Sequence, residues 1–174
     1  MNLNKGESLI LSTIRLNPGL GKTATMKVLF MVQDVKGVRA GYDFSIYTYG
    51  PYAAAVMEDI DYLTSCGLVS CSMYSSHTYI GYELNLLPRG MEVAPHLSKE
   101  ELNALEDVVN FARGKSAKEL ELYSTIIYID RFFKKNPNSY SEDAIAKKVH
   151  EIKPHFELHK IMSAYRELKE IKYV

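Results

Sequence analysis

Residues 51–88 read PYAAAVMEDIDYLTSCGLVSCSMYSSHTYIGYELNLLP, and a change of period inside this stretch decides the fold. Val56, Ile60 and Leu63 recur at helical spacing. Pro51 suits the first turn of that helix, and Gly67 suits the left-handed residue just past its end. Beyond Gly67 the period falls to two. Val69, Cys71 and Met73 share one face, and Ile80, Tyr82, Leu84 and Leu86 share another, with Ser75-Ser76-His77 as the connecting loop. Pro88-Arg89-Gly90 closes the second run. A helix followed by a β-hairpin is the expectation.

Working outward, Leu9, Ile10, Leu11 and Ile14 mark a first helix over about residues 5–16, ended by Asn17-Pro18-Gly19-Leu20-Gly21. Thr23 is a candidate N-cap for a second helix reaching about Val35. Its Val28, Met31, Val32 and Val35 fall on one stripe, and Met26, Leu29 and Phe30 widen it, so this helix is expected to be buried on most sides. Residues 38–50 read as an extended loop or short strand. The second half is helical. Ser98-Lys99-Glu100-Glu101 and Ser116-Ala117-Lys118-Glu119 have capping-box spacing. Leu102, Leu105, Val109 and Ala112 follow the first box; Leu122, Ile126, Ile129 and Phe133 follow the second. Asn136-Pro137-Asn138 breaks the chain, Ser141 caps a short helix with Ile145, Val149 and Ile152, and Pro154 starts a last one with Leu158, Ile161, Tyr165 and Leu168. The fold class is therefore mainly α with a small β-hairpin (α+β). Three helices and a hairpin in that order are a winged helix-turn-helix over residues 1–95. A four-helix region, 96–174, is expected to pack on it. In a winged helix the third helix ordinarily enters the DNA major groove.

The chain has 174 residues, with 21 basic and 21 acidic side chains, 47% hydrophobic residues and 24% charged. This is the composition of a folded domain. It excludes a disordered chain and a polycation that would hold nucleic acid by charge alone. No run of about 18 apolar residues suggests a membrane span, and the first residues do not resemble a signal peptide. Cys66 and Cys71 make no disulfide framework, so a reducing, cytoplasmic setting is expected.

Charge on the expected reading surface is one-sided. Between Arg39 and Arg89 there is no Lys or Arg, while Asp43, Glu58, Asp59, Asp61 and Glu83 give five acids. Phosphate binding depends on Lys and Arg, so an acidic third helix opposes conventional docking on a duplex. Eight of the thirteen tyrosines lie in the same region: Tyr42, Tyr47, Tyr49, Tyr52, Tyr62, Tyr74, Tyr79 and Tyr82. Tyrosine supplies large amphipathic area and is common at protein interfaces. Tyr49, Tyr52 and Tyr62 with Glu58 and Asp61 are thus the candidate protein-binding set. The competing set, for DNA, is Lys22, Lys27, Lys36 and Arg39 on and after the second helix, with His77 at the tip of the hairpin.

Thr25-Met26-Lys27-Val28-Leu29-Phe30-Met31, Tyr42-Asp43-Phe44, Tyr49-Gly50-Pro51-Tyr52, Asp59-Ile60-Asp61-Tyr62-Leu63 and Cys66-Gly67-Leu68-Val69 also resemble the corresponding motifs of one family, as do Leu120-Glu121-Leu122-Tyr123-Ser124-Thr125-Ile126 and Lys153-Pro154. The family is the YwgA-like winged-helix proteins, with the Panacea (SocA-type antitoxin) domain group a more distant relative. The resemblance covers roughly residues 5–170. It implies transcriptional regulation, toxin neutralisation or adaptor-type protein binding, and carries over no catalytic residues.

Other motifs are weaker. Asn17-Pro18-Gly19-Leu20-Gly21-Lys22-Thr23 imitates a phosphate-binding loop, but Leu16 stands where the pattern needs glycine, and a helix precedes it where a strand should. His155 and His159 have i, i+4 spacing, yet Phe156 occupies the place of the zinc-protease glutamate. Cys66 and Cys71 are spaced too widely for a zinc knuckle and lack a second pair. No nucleophile elbow or triad stands out. The sequence is read as non-enzymatic, without cofactor or metal. It points to a regulatory protein acting by macromolecular recognition, antitoxin- or adaptor-like. The alternative is a dimeric DNA-binding regulator.

Overall fold

The structure is a computed structural model that describes residues 2–75, 80–135 and 141–174. It is mainly helical, with two small antiparallel hairpins. The order is α1 (Lys5–Leu16), α2 (Lys22–Asp34), β1 (Ser45–Tyr47), β2 (Gly50–Tyr52), α3 (Ala54–Ser65), β3 (Val69–Ser75), β4 (Ile80–Leu86) and α4 (Pro88–Glu92). Then come α5 (Lys99–Ala112), α6 (Ala117–Lys134), α7 (Glu142–Ile152) and α8 (Leu158–Glu170).

Side-chain caps set four of the eight helix starts among the described residues. Ser98 and Ser116 accept hydrogen bonds from the backbone N–H of Glu101 and Glu119, whose carboxylates accept in return, and Asn4 with Glu7 forms a third such box. Each satisfies amides that a helix end leaves unpaired, worth about 1 kcal/mol. Three boundaries differ from the sequence reading. Gly21, not Thr23, precedes α2, because the Asn17–Gly21 turn is held against the hairpin: Gly19 N–H donates to Leu84 O and Leu84 N–H to Leu20 O. Pro51 lies in strand β2, opposite Ile46, and α3 begins three residues later. Pro154 opens a turn instead of a helix. Phe156 is buried there, its N–H donates to Lys153 O, and α8 starts only at Leu158.

Strands β3 and β4 pair Val69 with Leu86, Cys71 with Leu84 and Met73 with Tyr82. These pairs share one face, so the expected hairpin faces are a single sheet face. Its base, Val69 and Leu84, is buried; further out, Met73 and Tyr82 are exposed. Ser76 and His77, expected at its loop, lie outside the described residues, as does the Asn136-Pro137-Asn138 break.

One continuous core joins both halves of the chain. Helix α6 is its axis. Every residue from Leu120 to Ile127 is buried, which is the pattern of a helix covered on all sides. It lies against α2, β2, α7 and α8, while α5 packs on α1 and α2. Polar ties cross the same seam: Lys5 to Glu101 at 2.6 Å, His96 N–H to Ser8 Oγ, and Arg113 to Leu16 O. Leu102 and Leu158, expected inward, are exposed. The apolar faces of α5 and α8 centre instead on Leu105, Val108 and Val109, and on Ile161, Tyr165 and Leu168.

Gly90 marks the closest approach of α4 to the hairpin. A Cβ there would stand 2.1 Å from Leu68 O, an acceptor already engaged by Leu87 N–H. Gly114 has φ +79° with nothing near its side-chain position. Gly90→Ala should therefore cost about 3 kcal/mol or more in urea denaturation, and Gly114→Ala only about 1 kcal/mol. Equal losses would contradict the packing described for α4.

Candidate functional site

The Tyr49-Gly50-Pro51-Tyr52 stretch is the tip and second strand of the β1–β2 hairpin. Gly50 has φ +85°, and its position would place a Cβ 2.9 Å from Thr125 Oγ1 on α6. Only glycine fits both the backbone angle and the approach. Two buried lysines then fasten the hairpin. Lys27 Nζ donates to Pro51 O at 2.7 Å, and Lys153 Nζ donates to Tyr47 O at 3.0 Å and to Thr48 O. Glu121 of α6 supplies the countercharge, its Oε1 3.0 Å from Lys153 Nζ and 3.6 Å from His155 Nε2. Lys27, Glu121 and Lys153 are each no more than 5% exposed. The cluster lies beneath an open cavity of about 510 Å³ lined by Tyr47, Tyr49, Glu121, Lys153 and His155.

With its backbone held this way, the hairpin presents Tyr47 and Tyr49 outward, 66% and 64% exposed. Tyr52 is half-buried, its ring 5.6 Å from that of Tyr47. It shares a small recess with Thr23, Met57 and Tyr49, and this recess links the hairpin to α3. On α3, Glu58, Asp61, Tyr62 and Ser65 are all exposed, and the 100° helical step places them on one face. The neighbouring Cys66 thiol raises the Tyr62 pKa. Asp59 turns the other way and accepts from the buried Tyr42 hydroxyl at 2.6 Å, a bond that leaves the Tyr42 pKa raised after the larger effect of burial. Met73, Tyr82 and Glu83 extend the exposed surface onto the β3–β4 hairpin. The five candidate protein-binding residues thus lie on neighbouring elements. Tyr47, Met73 and Tyr82 were not among them. Alternation of the strands was the available signal for Tyr47 and Tyr82, but it does not say which end of a hairpin leaves the core.

The candidate phosphate-binding residues fare differently. Lys27 faces inward and is 2% exposed, which corrects its assignment to a phosphate-facing surface. Helix α2 is covered over Ala24–Val32, so its fourth-turn spacing gives no solvent side to that residue. Lys22 donates to Asp61 Oδ1 at 2.9 Å and stands 5.4 Å from the centre of the Tyr82 ring. Lys36 is paired with Asp107 and lies over the Tyr173 ring. Arg39 is exposed. His77 falls outside the described residues.

The loop that imitates a phosphate cradle spends its Gly19 amide on Leu84. His155 stacks on Phe156 with ring centres 4.2 Å apart, and His159 pairs with Glu157 on the surface. Among the described residues, no group of three or more His, Cys, Asp and Glu is placed to hold a metal ion, and no helix is long and apolar enough to cross a membrane. Cys66 and Cys71 are half-buried free thiols.

Burial lowers the Lys27 pKa from 10.5 to about 8; Glu121 partly offsets this, and Lys153 adds to it. Between those two values the unfolded chain binds more protons than the folded one, so stability rises with pH. The rise expected from Lys27 across pH 8 to 10.5 is roughly 3 kcal/mol at most. Urea titrations of the wild type and Lys27→Met, compared at pH 7.5 and above 10, should show the wild type gaining on the variant by an amount of this order. A difference independent of pH would contradict a buried ammonium. The chain matches no protein-family model, and comparison with curated proteins gives no match.

Proposed function

We propose that the protein is a non-enzymatic, winged-helix regulatory protein that recognises a protein partner presenting basic side chains. The recognition face consists of Tyr47 and Tyr49, then Glu58, Asp61 and Tyr62 of α3, and the outer end of the β3–β4 hairpin. One observation carries this reading: the tyrosines and Glu58 face solvent, while of the nearest lysines Lys27 is buried against the hairpin and Lys22 is paired at the surface with Asp61. Tyrosines supply desolvated contact area, and the exposed carboxylates speed and select encounter with a basic surface. The resemblance to YwgA-like and Panacea-type proteins bears more on the fold than on the function, since it implies adaptor-type protein binding and toxin neutralisation beside transcriptional regulation.

The order of elements, three helices and then a hairpin, also favours a second reading, a DNA-binding transcriptional regulator acting as a dimer. In that reading Lys22 would exchange Asp61 for phosphate and Arg39 would join it. A steep salt dependence would be its mark.

Fluorescence anisotropy separates the two. A labelled Arg/Lys-rich peptide and a labelled random duplex are titrated at about 50 and 200 mM salt. Peptide binding is expected, weakened about tenfold by Glu58→Lys and by Tyr49→Ala, both at exposed positions outside the core. Tight, steeply salt-dependent duplex binding with no peptide binding would overturn the proposal in favour of the DNA reading.

A further inference from the structure

A second cavity, of about 290 Å³, lies on another part of the molecule, where α2 and the loop after it meet α6. It is independent of the recognition face. Its walls are mixed: Phe30, Phe44, Tyr128 and Phe132 line it beside polar and charged side chains, with Phe30 and Phe44 edge to face at 5.4 Å and Phe30 and Tyr128 at 6.2 Å. Most of these rings are anchored in the core, whereas Phe132 is 56% exposed. The aromatic wall is continuous with a charged rim.

Four charged side chains border the cavity, and they fall into two kinds. Asp34 and Arg131 are closed upon each other at 3.0 Å. The rest of the Arg131 guanidinium is also committed, to Asp130 and to Tyr173 O. Gln33 is likewise spent, bonding both the N–H and the C=O of Tyr42 and so fixing the loop that carries the next two residues. Asp43 and Lys135 are different. Both are exposed, and among the described residues neither makes a hydrogen bond or ion pair, although burial raises the Asp34 pKa and the Lys135 charge acts on it to lower that pKa by a smaller amount. The cavity therefore offers one carboxylate and one ammonium without an ion pair, beside several aromatic rings.

We propose that this cavity binds a free amino acid with an aromatic or large aliphatic side chain. The ligand's ammonium would meet Asp43, its carboxylate Lys135, and its side chain the rings. The volume sits at the lower end of the range for ligand pockets, which suits a metabolite of about a dozen heavy atoms and is small for a cofactor. A ring against Phe44 and Phe132 gains area burial and edge or offset stacking. Opposite charges lining one cavity select a zwitterion over a simple cation or anion, because either of the latter leaves one contact unmade. Because the cavity is walled by α2 on one side and α6 on the other, occupancy stabilises the packing of these helices through mass action.

The test is a thermal-shift and calorimetric titration of the whole chain with phenylalanine, tyrosine, tryptophan, leucine and glycine, each up to about 10 mM, where millimolar affinity still registers. N-acetylphenylalanine and phenylalaninamide, each lacking one charge, are run beside them. At least one large apolar amino acid should raise the melting temperature, with glycine inert. Both modified forms should bind about tenfold or more weakly. Asp43→Asn and Lys135→Gln should each weaken binding to a similar degree, whereas Glu58→Lys should not alter it. Failure of every amino acid to bind would overturn the proposal. So would equal binding of the acetylated or amidated form, which would reduce the cavity to an unselective apolar recess.

Discussion

A buried glutamate between two buried lysines governs the part of this molecule that meets solvent with its tyrosines. Glu121, Lys27 and Lys153 come from α6, α2 and the turn after α7, and both ammonium groups end on carbonyls of one short hairpin. Taking three charges out of water is costly, and their attraction recovers that cost only with good hydrogen-bond geometry. Apolar side chains would bind the same helices together with less penalty. They could not hold the carbonyls of Tyr47, Thr48 and Pro51 at fixed positions. The charges thus serve to specify where the hairpin sits, and Gly50 permits the close seat that makes the bonds possible.

The same economy of charge explains the surface. The protein is neutral overall, yet several lysines on and after α2 are already paired: Lys22 with Asp61, Lys36 with Asp107 and Lys27 with the hairpin. Glu58 and Glu83 remain facing water. Helix α3 is thereby left with the wrong sign for phosphate. Local sequence charge pointed in this direction, and the pairing of the nearby lysines strengthens it.

Helices and the hairpin were legible in the sequence because periodicity and capping are local. Ser98, Ser116 and Ser141 start helices where their spacing says. The misreadings share a cause. Pro51, Thr23 and Pro154 each sit where a tertiary contact competes with a local preference: Gly50 against α6, the Asn17–Gly21 turn against β4, and Phe156 in the core. Lys27 shows the limit most plainly. A lysine in a helix reads as a solvent-facing cation, and Pro51 O, 24 residues away, together with Glu121 on α6, makes its burial tolerable. The aromatic cavity was equally hidden, since Phe30, Phe44 and Tyr128 come together from three segments with no shared motif.

The bonds from Lys153 to Tyr47 and Thr48 span 106 and 105 residues of chain. Contacts of that separation return no free energy until a very long segment has been closed, so topology delays them. The hairpin itself is only two three-residue strands, too short to persist alone. It acquires its position after α6 and α7 are in place. A chain of this design keeps its most aromatic surface under kinetic control of its C-terminal helices.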